Sequence, residues 1–290
     1  MRVSVLQVPY DSGHFGRRMG RGPLHLAERG LLDGLAQEGH EAELVPVRLP
    51  EGFFAEVGAA AEIHRRVAEA AAAARAQGRF PLVLTGNCNT ALGIVAGLGP
   101  EPTAVVWLDA HGDFNTPDTS LSGFFDGMAV SALTGGAWRG VTGTLPGFHP
   151  VAERNVVLIG VRDLDPEERR RLEASEAVWV HPDVLREKGV EGALGGPLDE
   201  ISWREPRAYL HVDLDVLDPE EAKINVFSVP GGLTVDEVIQ TAGAVGRRFE
   251  IAAATLSAYD PDHDSEDRGL RAAERIAKAI LAAARLVTAL

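Results

Sequence analysis

A chain of 290 residues with 45% apolar residues carries enough hydrophobic material for a large core and is not a disordered polypeptide. Its formal net charge of −14 argues against nucleic acid or an anionic membrane as partner. A single cysteine, Cys88, excludes an internal disulfide and fits a reducing compartment.

The chain enters a strand-like run at residues 2–8 with no signal-peptide layout, so a cytoplasmic location is expected. Further strands are expected at 42–47, 80–85, 103–109, 155–161, 177–181, 208–215 and 251–259. Most of these runs are continuously apolar, the pattern of strands covered on both faces. Helices are expected after Pro23, over 53–77 with Gly78 as its stop, after Pro166, after Thr234, and from about 265 to the C-terminus. Residues 135–150, rich in glycine, threonine and proline, read as a long surface loop. The tail at 279–290 is too short to span a bilayer and carries Arg285. Strands alternating with helices imply an α/β fold: one domain over 1–290, in three layers, with a mainly parallel sheet of about eight strands.

Two acidic clusters end apolar runs: Asp109-Ala110-His111-Gly112-Asp113 and Asp213-Leu214-Asp215. Residues i and i+2 of an extended chain point to the same side, so each cluster sets carboxylates on one face. Such carboxylates repel strongly unless a cation lies between them. The plainer reading of each cluster is a helix-capping loop with solvated charges; a second cluster of the same kind favours a shared metal site. A third polar segment, 85–90, also ends a strand, and open parallel sheets bind ligands outside the carboxyl ends of their strands.

Ordered blocks along nearly the whole chain carry a resemblance. They are Val8-Pro9-Tyr10-Asp11, Gly20-Arg21-Gly22-Pro23, Gly86-Asn87-Cys88-Asn89, the stretch from Asp109 to Gly127, Asp213 to Pro219, and Pro230-Gly231-Gly232-Leu233-Thr234. The chain resembles the arginase–agmatinase (ureohydrolase) family. The resemblance implies two Mn2+ ions per subunit, with Asp109 and Asp213 touching both. Cys88 and Asp113 would complete one ion's ligands, and His111 and Asp215 the other's. It also implies attack of a metal-bridging hydroxide on a guanidinium carbon, releasing urea and an amine. Asn115, Ser120 and Ser122 match positions that bind a substrate α-carboxylate, and Asp165 matches one that meets the α-ammonium. Asp165 also reads as the N-cap of the helix after Pro166. Asp113 and Asp126 are the catalytic candidates. A homo-oligomer, trimer or hexamer, is implied as well.

Four positions depart from the family pattern. Cys88 stands where a histidine ligand is usual, and a soft thiolate suits manganese poorly. Asp126 stands where many members carry a proton-shuttling histidine, Ala258 where arginases carry a guanidinium-holding glutamate, and Phe227 where a small polar residue is usual. Asp126 is expected to replace the carboxylate missing at 258, either pairing with the substrate cation or protonating the leaving amine. The expected reaction is hydrolysis of arginine or N-hydroxyarginine to urea or hydroxyurea and ornithine. The alternatives are an agmatinase or formimidoylglutamase-type hydrolase on the same metals, or a non-catalytic binding protein that retains the fold.

Other signals carry less. The acidic run 260–267 lacks the glycine of a calcium loop and reads as the negative N-terminus of the last helix. Arg169-Arg170-Arg171 reads as a solvated helix face. His14, His25, His40, His64, His149 and His181 show no convergent partners. His211 shares a strand face with Asp213 and is a candidate to support a ligand.

Overall fold

The computed structural model describes residues 1–52 and 55–286. Eight strands form one sheet: β1 (Arg2–Val8), β4 (Glu41–Pro46), β5 (Phe80–Thr85), β6 (Ala104–Leu108), β7 (Val156–Ile159), β8 (Val178–Val180), β9 (Arg207–Asp213) and β10 (Glu250–Ser257). A two-stranded ribbon, β2 (Tyr10–Asp11) with β3 (His14–Phe15), stands apart. All pairings within the sheet are parallel, in the order β4-β1-β5-β10-β9-β6-β7-β8. The sheet therefore has one carboxyl edge, and every strand delivers its following loop there.

Side-chain alternation splits the core into two layers. Leu82, Val106 and Leu210 face one side, where they pack with residues of α8 (Pro182–Arg204), α9 (Val235–Gly246) and α10 (Arg268–Ala283). Val83, Trp107 and Tyr209 face the other, against α3 (Glu56–Ala76), α4 (Ala91–Gly97) and α5 (Ala129–Leu133). The central strands β5, β6 and β9 are buried along their whole length, as continuous apolar runs require. Edge strand β4 instead shows an exposed face, and its Glu41 and Glu43 pair with Arg79 at 2.9 Å each. Charges along an edge discourage pairing with another chain.

All eight expected strands are present, most of them trimmed by a residue or two at an end. The long helix begins at Glu56 rather than 53; Phe53 and Phe54 lie outside the described residues, as does the C-terminal stretch 287–290 of the last expected helix. Residues 135–150 are not wholly a surface loop, because α6 (Arg139–Thr142) forms there and Ala137, Thr142 and Leu145 are buried. Helices α2 (Leu31–Gln37), α4, α5 and α8 were not expected. Three of them are short, and α8 carries Gly189 at φ 68° inside it, which breaks its helical pattern. Arg169 and Arg171 are not simply solvated: their guanidinium groups lie over Trp179 and Phe114.

Gly86, the first residue after β5 to leave the sheet, packs against backbone. A Cβ there would lie 2.3 Å from the Tyr10 carbonyl oxygen and 2.7 Å from the Gly20 nitrogen. Neither neighbour can rotate away, so Gly86→Ala is expected to cost about 1–3 kcal/mol or more through overpacking. Its urea midpoint should fall with the m-value unchanged. A midpoint equal to that of the parent would show that the segment yields freely.

Candidate metal centre

Four adjacent strands at the middle of the sheet, β5, β10, β9 and β6, set the floor of the site. Chain order reverses across this region, which is where open α/β sheets form a crevice. Cys88 follows β5, Asp109 follows β6, Asp213 ends β9, and Ser257 ends β10. Above them lies a cavity of about 290 Å³, lined by every sequence-predicted site residue: Cys88, Asp109, His111, Asp113, Asn115, Ser120, Ser122, Asp126, Asp165, Asp213 and Asp215.

The ligating atoms fall into two groups that share Asp109. Cys88, Asp109 and Asp113 form one triad, and Asp109, His111 and Asp215 the other, each with donor atoms within 4.8 Å of one another. Asp213 joins them, its Oδ2 accepting from the Cys88 thiol at 2.9 Å. His111 Nδ1 lies 3.3 Å from Asp109 Oδ1 and 3.5 Å from Asp215 Oδ2. Backbone turns hold the carboxylates: Asp109 Oδ1 accepts from the His111 amide at 2.7 Å, and Asp213 Oδ1 from the Asp215 amide at 2.8 Å. Asn225 holds Asp215 Oδ2 at 3.2 Å, and Trp107 Nε1 donates to Asp109 Oδ2 at 3.0 Å.

This donor set fits cations. Cys88, Asp109, Asp113, Asp213 and Asp215 are all buried, and Asp113 Oδ2 has no hydrogen-bond partner. Burial first, then repulsion from neighbouring aspartates, pushes Asp113 and Asp213 well above the usual carboxylate range. Asp109 is also raised, by burial, although His111 opposes the shift. Burial also opposes ionisation of Asp215, but the adjacent His111 outweighs it and holds that carboxyl down. Burial likewise opposes protonation of His111, and Asp215 and Asp109 together raise it well above its ordinary value. Buried like charges with an orphaned oxygen are expensive unless a cation neutralises them. The Cys88 thiol is raised by burial and by Asp213, so it becomes a thiolate ligand only when a cation replaces its proton.

The other wall of the pocket carries Asn115, Ser120, Ser122 and Asp165. Asn115 Nδ2 donates to Asp165 Oδ2 at 3.1 Å, and the Ser120 and Ser122 hydroxyls lie 3.4 Å apart. Asp165 occupies the N-cap position of α7 (Pro166–Glu173) and lines the pocket as well, so its two readings are compatible. Asp126 is buried rather than a solvated loop residue.

Some residues of the site escaped the sequence reading. Glu168 lines the pocket, accepts from the Phe114 amide at 2.8 Å and the Asp165 amide at 3.1 Å, and is pushed by burial to about 7. The Asp-x-x-Glu spacing of a capping box, Asp165 to Glu168, was its available signal. His64 does have a convergent partner: its Nε2 lies 2.8 Å from Asn89 Oδ1, because α3 packs on the Cys88 segment. His211 stacks on Trp107 at 3.6 Å and bonds to Ser257, with Nε2 3.0 Å from Oγ, rather than to Asp213.

The model of the arginase family matches residues 1–283. This chain belongs to the arginase family. An arginase of Bacillus caldovelox is 32% identical over 249 residues, spanning 81% of this chain and 83% of that protein. The crystal structure of arginase from Bacillus cereus superposes with a TM-score of 0.88 at 25% identity, covering 97% of this chain and 98% of that one. Formimidoylglutamase from Bacillus subtilis subsp. subtilis str. 168 shares the fold, with a TM-score of 0.78 at 19% identity over 98% of this chain and 87% of that one. The chain is thus a hydrolase of a family that depends on a binuclear metal centre.

A carboxyl whose folded pKa is raised binds more protons folded than unfolded between the two values. Stability therefore falls as pH rises through that interval. Glu168, moving from 4.5 to about 7, contributes this way, as do Asp109, Asp113 and Asp213. After chelation the protein is expected to melt at a lower temperature at pH 8 than at pH 5.5. Divalent ions at about 100 times their Kd should restore about 2.7 kcal/mol per occupied site at pH 8, or about 4 °C per site for a chain of 290 residues. Identical melting at both pH values, with and without ions, would contradict the cation requirement.

Proposed function

We propose that this protein hydrolyses the guanidino C–N bond of an α-amino acid, with N-hydroxyarginine or arginine as substrate and two Mn2+ ions as cofactor. The observation that carries this reading is the pair of triads sharing Asp109 beneath one pocket wall of amide, hydroxyl and carboxylate groups. With the ion-binding groups set aside, Asp163 and Asp165 still line the pocket and among the described residues no lysine or arginine lines it, a field that favours a cationic substrate. Asp109, Asp113, Asp213, Asp215, His111 and Cys88 would hold the two ions. When bound, such ions lower the pKa of water and supply a nucleophile at neutral pH.

The protein's own groups set the rest. Asn115, Ser120 and Ser122 offer donors to an α-carboxylate, and Asp165 offers a carboxylate to the α-ammonium. Glu168 fixes the Asp165 and Phe114 backbones and so shapes that wall. Phe124, whose amide donates to Ser122 Oγ at 3.1 Å, stacks on Phe227 at 5.9 Å, and Phe227 meets His111 edge-on at 6.4 Å, so the two rings link that wall to the ion-binding groups. Ala258 also lines the pocket and offers no carboxylate to a guanidinium, which favours a modified guanidine over plain arginine. We further propose a homo-oligomer, trimer or hexamer, in the cytoplasm, whose reducing conditions keep Cys88 reduced.

Product release from manganese-loaded protein across arginine, N-hydroxyarginine, agmatine and a formimino amino acid tests the reading. Turnover of an α-amino guanidino acid supports it; turnover of agmatine or the formimino compound alone overturns it. Asp165→Asn separates substrate binding from capping, since asparagine caps a helix as well as aspartate. It is expected to raise KM for the α-amino acid about tenfold, the scale of one charge-assisted hydrogen bond, and to leave unaffected 5-guanidinopentanoate, which keeps the carboxylate and lacks the α-amino group. An equal change for both substrates would remove Asp165 from the ammonium site.

A further inference from the structure

The segment that presents Cys88 is held from both flanks by one distant carboxylate. Asn87 Nδ2 donates to Asp126 Oδ2 at 2.8 Å. Asn89 donates to Asp126 Oδ1 twice, from its backbone amide at 2.8 Å and from Nδ2 at 3.0 Å. Each asparagine is tied on its far side as well: Asn87 Oδ1 accepts from the Ser12 amide at 2.8 Å, and Asn89 Oδ1 lies 2.8 Å from His64 Nε2. Behind the thiol, Ser257 Oγ lies 3.1 Å from Cys88 Sγ. Asn87, Cys88, Asn89 and Asp126 are all buried.

We propose that Asp126 is a positioning residue for the Cys88 ligand: by clamping both neighbours of the thiol, it fixes where Sγ points. This rests on reading Cys88 as a metal ligand, and it replaces the substrate contact or proton donation expected from the sequence. A carboxylate has about four acceptor positions, and three are occupied by these donors. Burial pushes the carboxyl up to about 7 in spite of these bonds, and the three donors that occupy it leave little capacity for a substrate cation. A cysteine side chain has a single torsion before its sulfur, so the backbone at 88 largely decides where Sγ lies, and residues 87 and 89 set that backbone.

Asp126→Asn removes the ability to accept on both sides, since one face now presents an NH2 to another NH2. Adding Asn87→Asp reverses the direction of one bond: the new amide donates to the new carboxylate, which still accepts from the Ser12 amide. The clamp therefore predicts loss in the single variant and recovery in the double variant.

Cys88 is the only cysteine in the chain, so thiol readouts are unambiguous. Cobalt(II)-loaded protein should show thiolate-to-cobalt absorption that Cys88→Ser lacks. In Asp126→Asn most of that absorption should be lost, and one of the two cobalt ions should bind about 10–100-fold more weakly, the usual scale for a ligand's supporting residue. After chelation, its thiol should react with a chromogenic disulfide at least about tenfold faster than in the parent, a scale set by the same supporting bonds. The double variant should recover all three. Asn87→Ser, which deletes one bond of the clamp, should shift them the same way by less, and serves if Asp126→Asn does not fold.

A variant that keeps absorption, cobalt affinity and thiol protection while KM alone rises would overturn the clamp in favour of a substrate contact. Two cobalt ions bound to the parent without thiolate absorption would instead sink the reading of Cys88 as a ligand. Thiol reactivity of the chelated proteins then decides the clamp separately: faster reaction in Asp126→Asn retains it, and an unchanged rate removes it.

Discussion

Mutual repulsion among buried carboxylates is the constraint on which the site depends. Asp109, Asp113, Asp213 and Asp215 converge beneath one cavity with a single imidazole among them, and one Asp113 oxygen has no partner. Packing alone offers no reason to hold such a set together, because an apolar floor would cost less. Cations supply the missing term. The hydrogen bonds around the set make sense in that light: the backbone amides of His111 and Asp215 and the side chains of Trp107 and Asn225 aim the carboxylates without neutralising them.

The parallel sheet makes this convergence attainable. Cys88 and Asp109 meet Asp213, more than a hundred positions further along the chain, because β5, β6 and β9 run the same way and end at the same edge. Apolar strands buried on both faces give that edge a rigid base. The last central strand, β10, closes the gap between β5 and β9 and brings Ser257 behind the Cys88 sulfur. The layer beneath is polar as well: Tyr209 bonds to His211 and Thr255, and His211 stacks on the Trp107 ring that donates to Asp109. One buried network thus backs ligands of both triads.

Much of this was legible in the chain. Continuous apolar runs gave the eight strands, and the spacing of Asp109, His111 and Asp113 and of Asp213 and Asp215 marked groups that line one cavity. The chain turns after each strand rather than staying extended, with Asp215 in a 3-10 turn (Leu214–Val216) and Asp113 at φ 48°, so the strand ends bring these groups together. What was not legible came from long-range packing. Nothing near His64 in sequence announces its bond to Asn89, and nothing near Asp126 announces that Asn87 and Asn89 occupy its oxygens. A local reading made Asp126 either a solvated residue or a substrate contact; burial excludes the first. Short helices such as α4 and α5 were missed because runs of five or seven residues carry too little periodicity to separate from loops. Glu168 was readable from the capping-box spacing alone, but its place in the pocket follows only from how α7 docks.

Cys88 stands where the family resemblance leads one to expect a histidine, and hydrogen bonds through Asn87, Asn89 and Ser257 hold its surroundings. The two triads and their shared Asp109 are the core of the account, and anomalous diffraction from crystals of the manganese-loaded protein, collected at the manganese edge, tests them most directly. Two anomalous peaks per chain are predicted, both within bonding distance of Asp109, one beside Cys88 and Asp113 and the other beside His111 and Asp215. No peak in the pocket, or peaks that leave Asp109 uncoordinated, would contradict it.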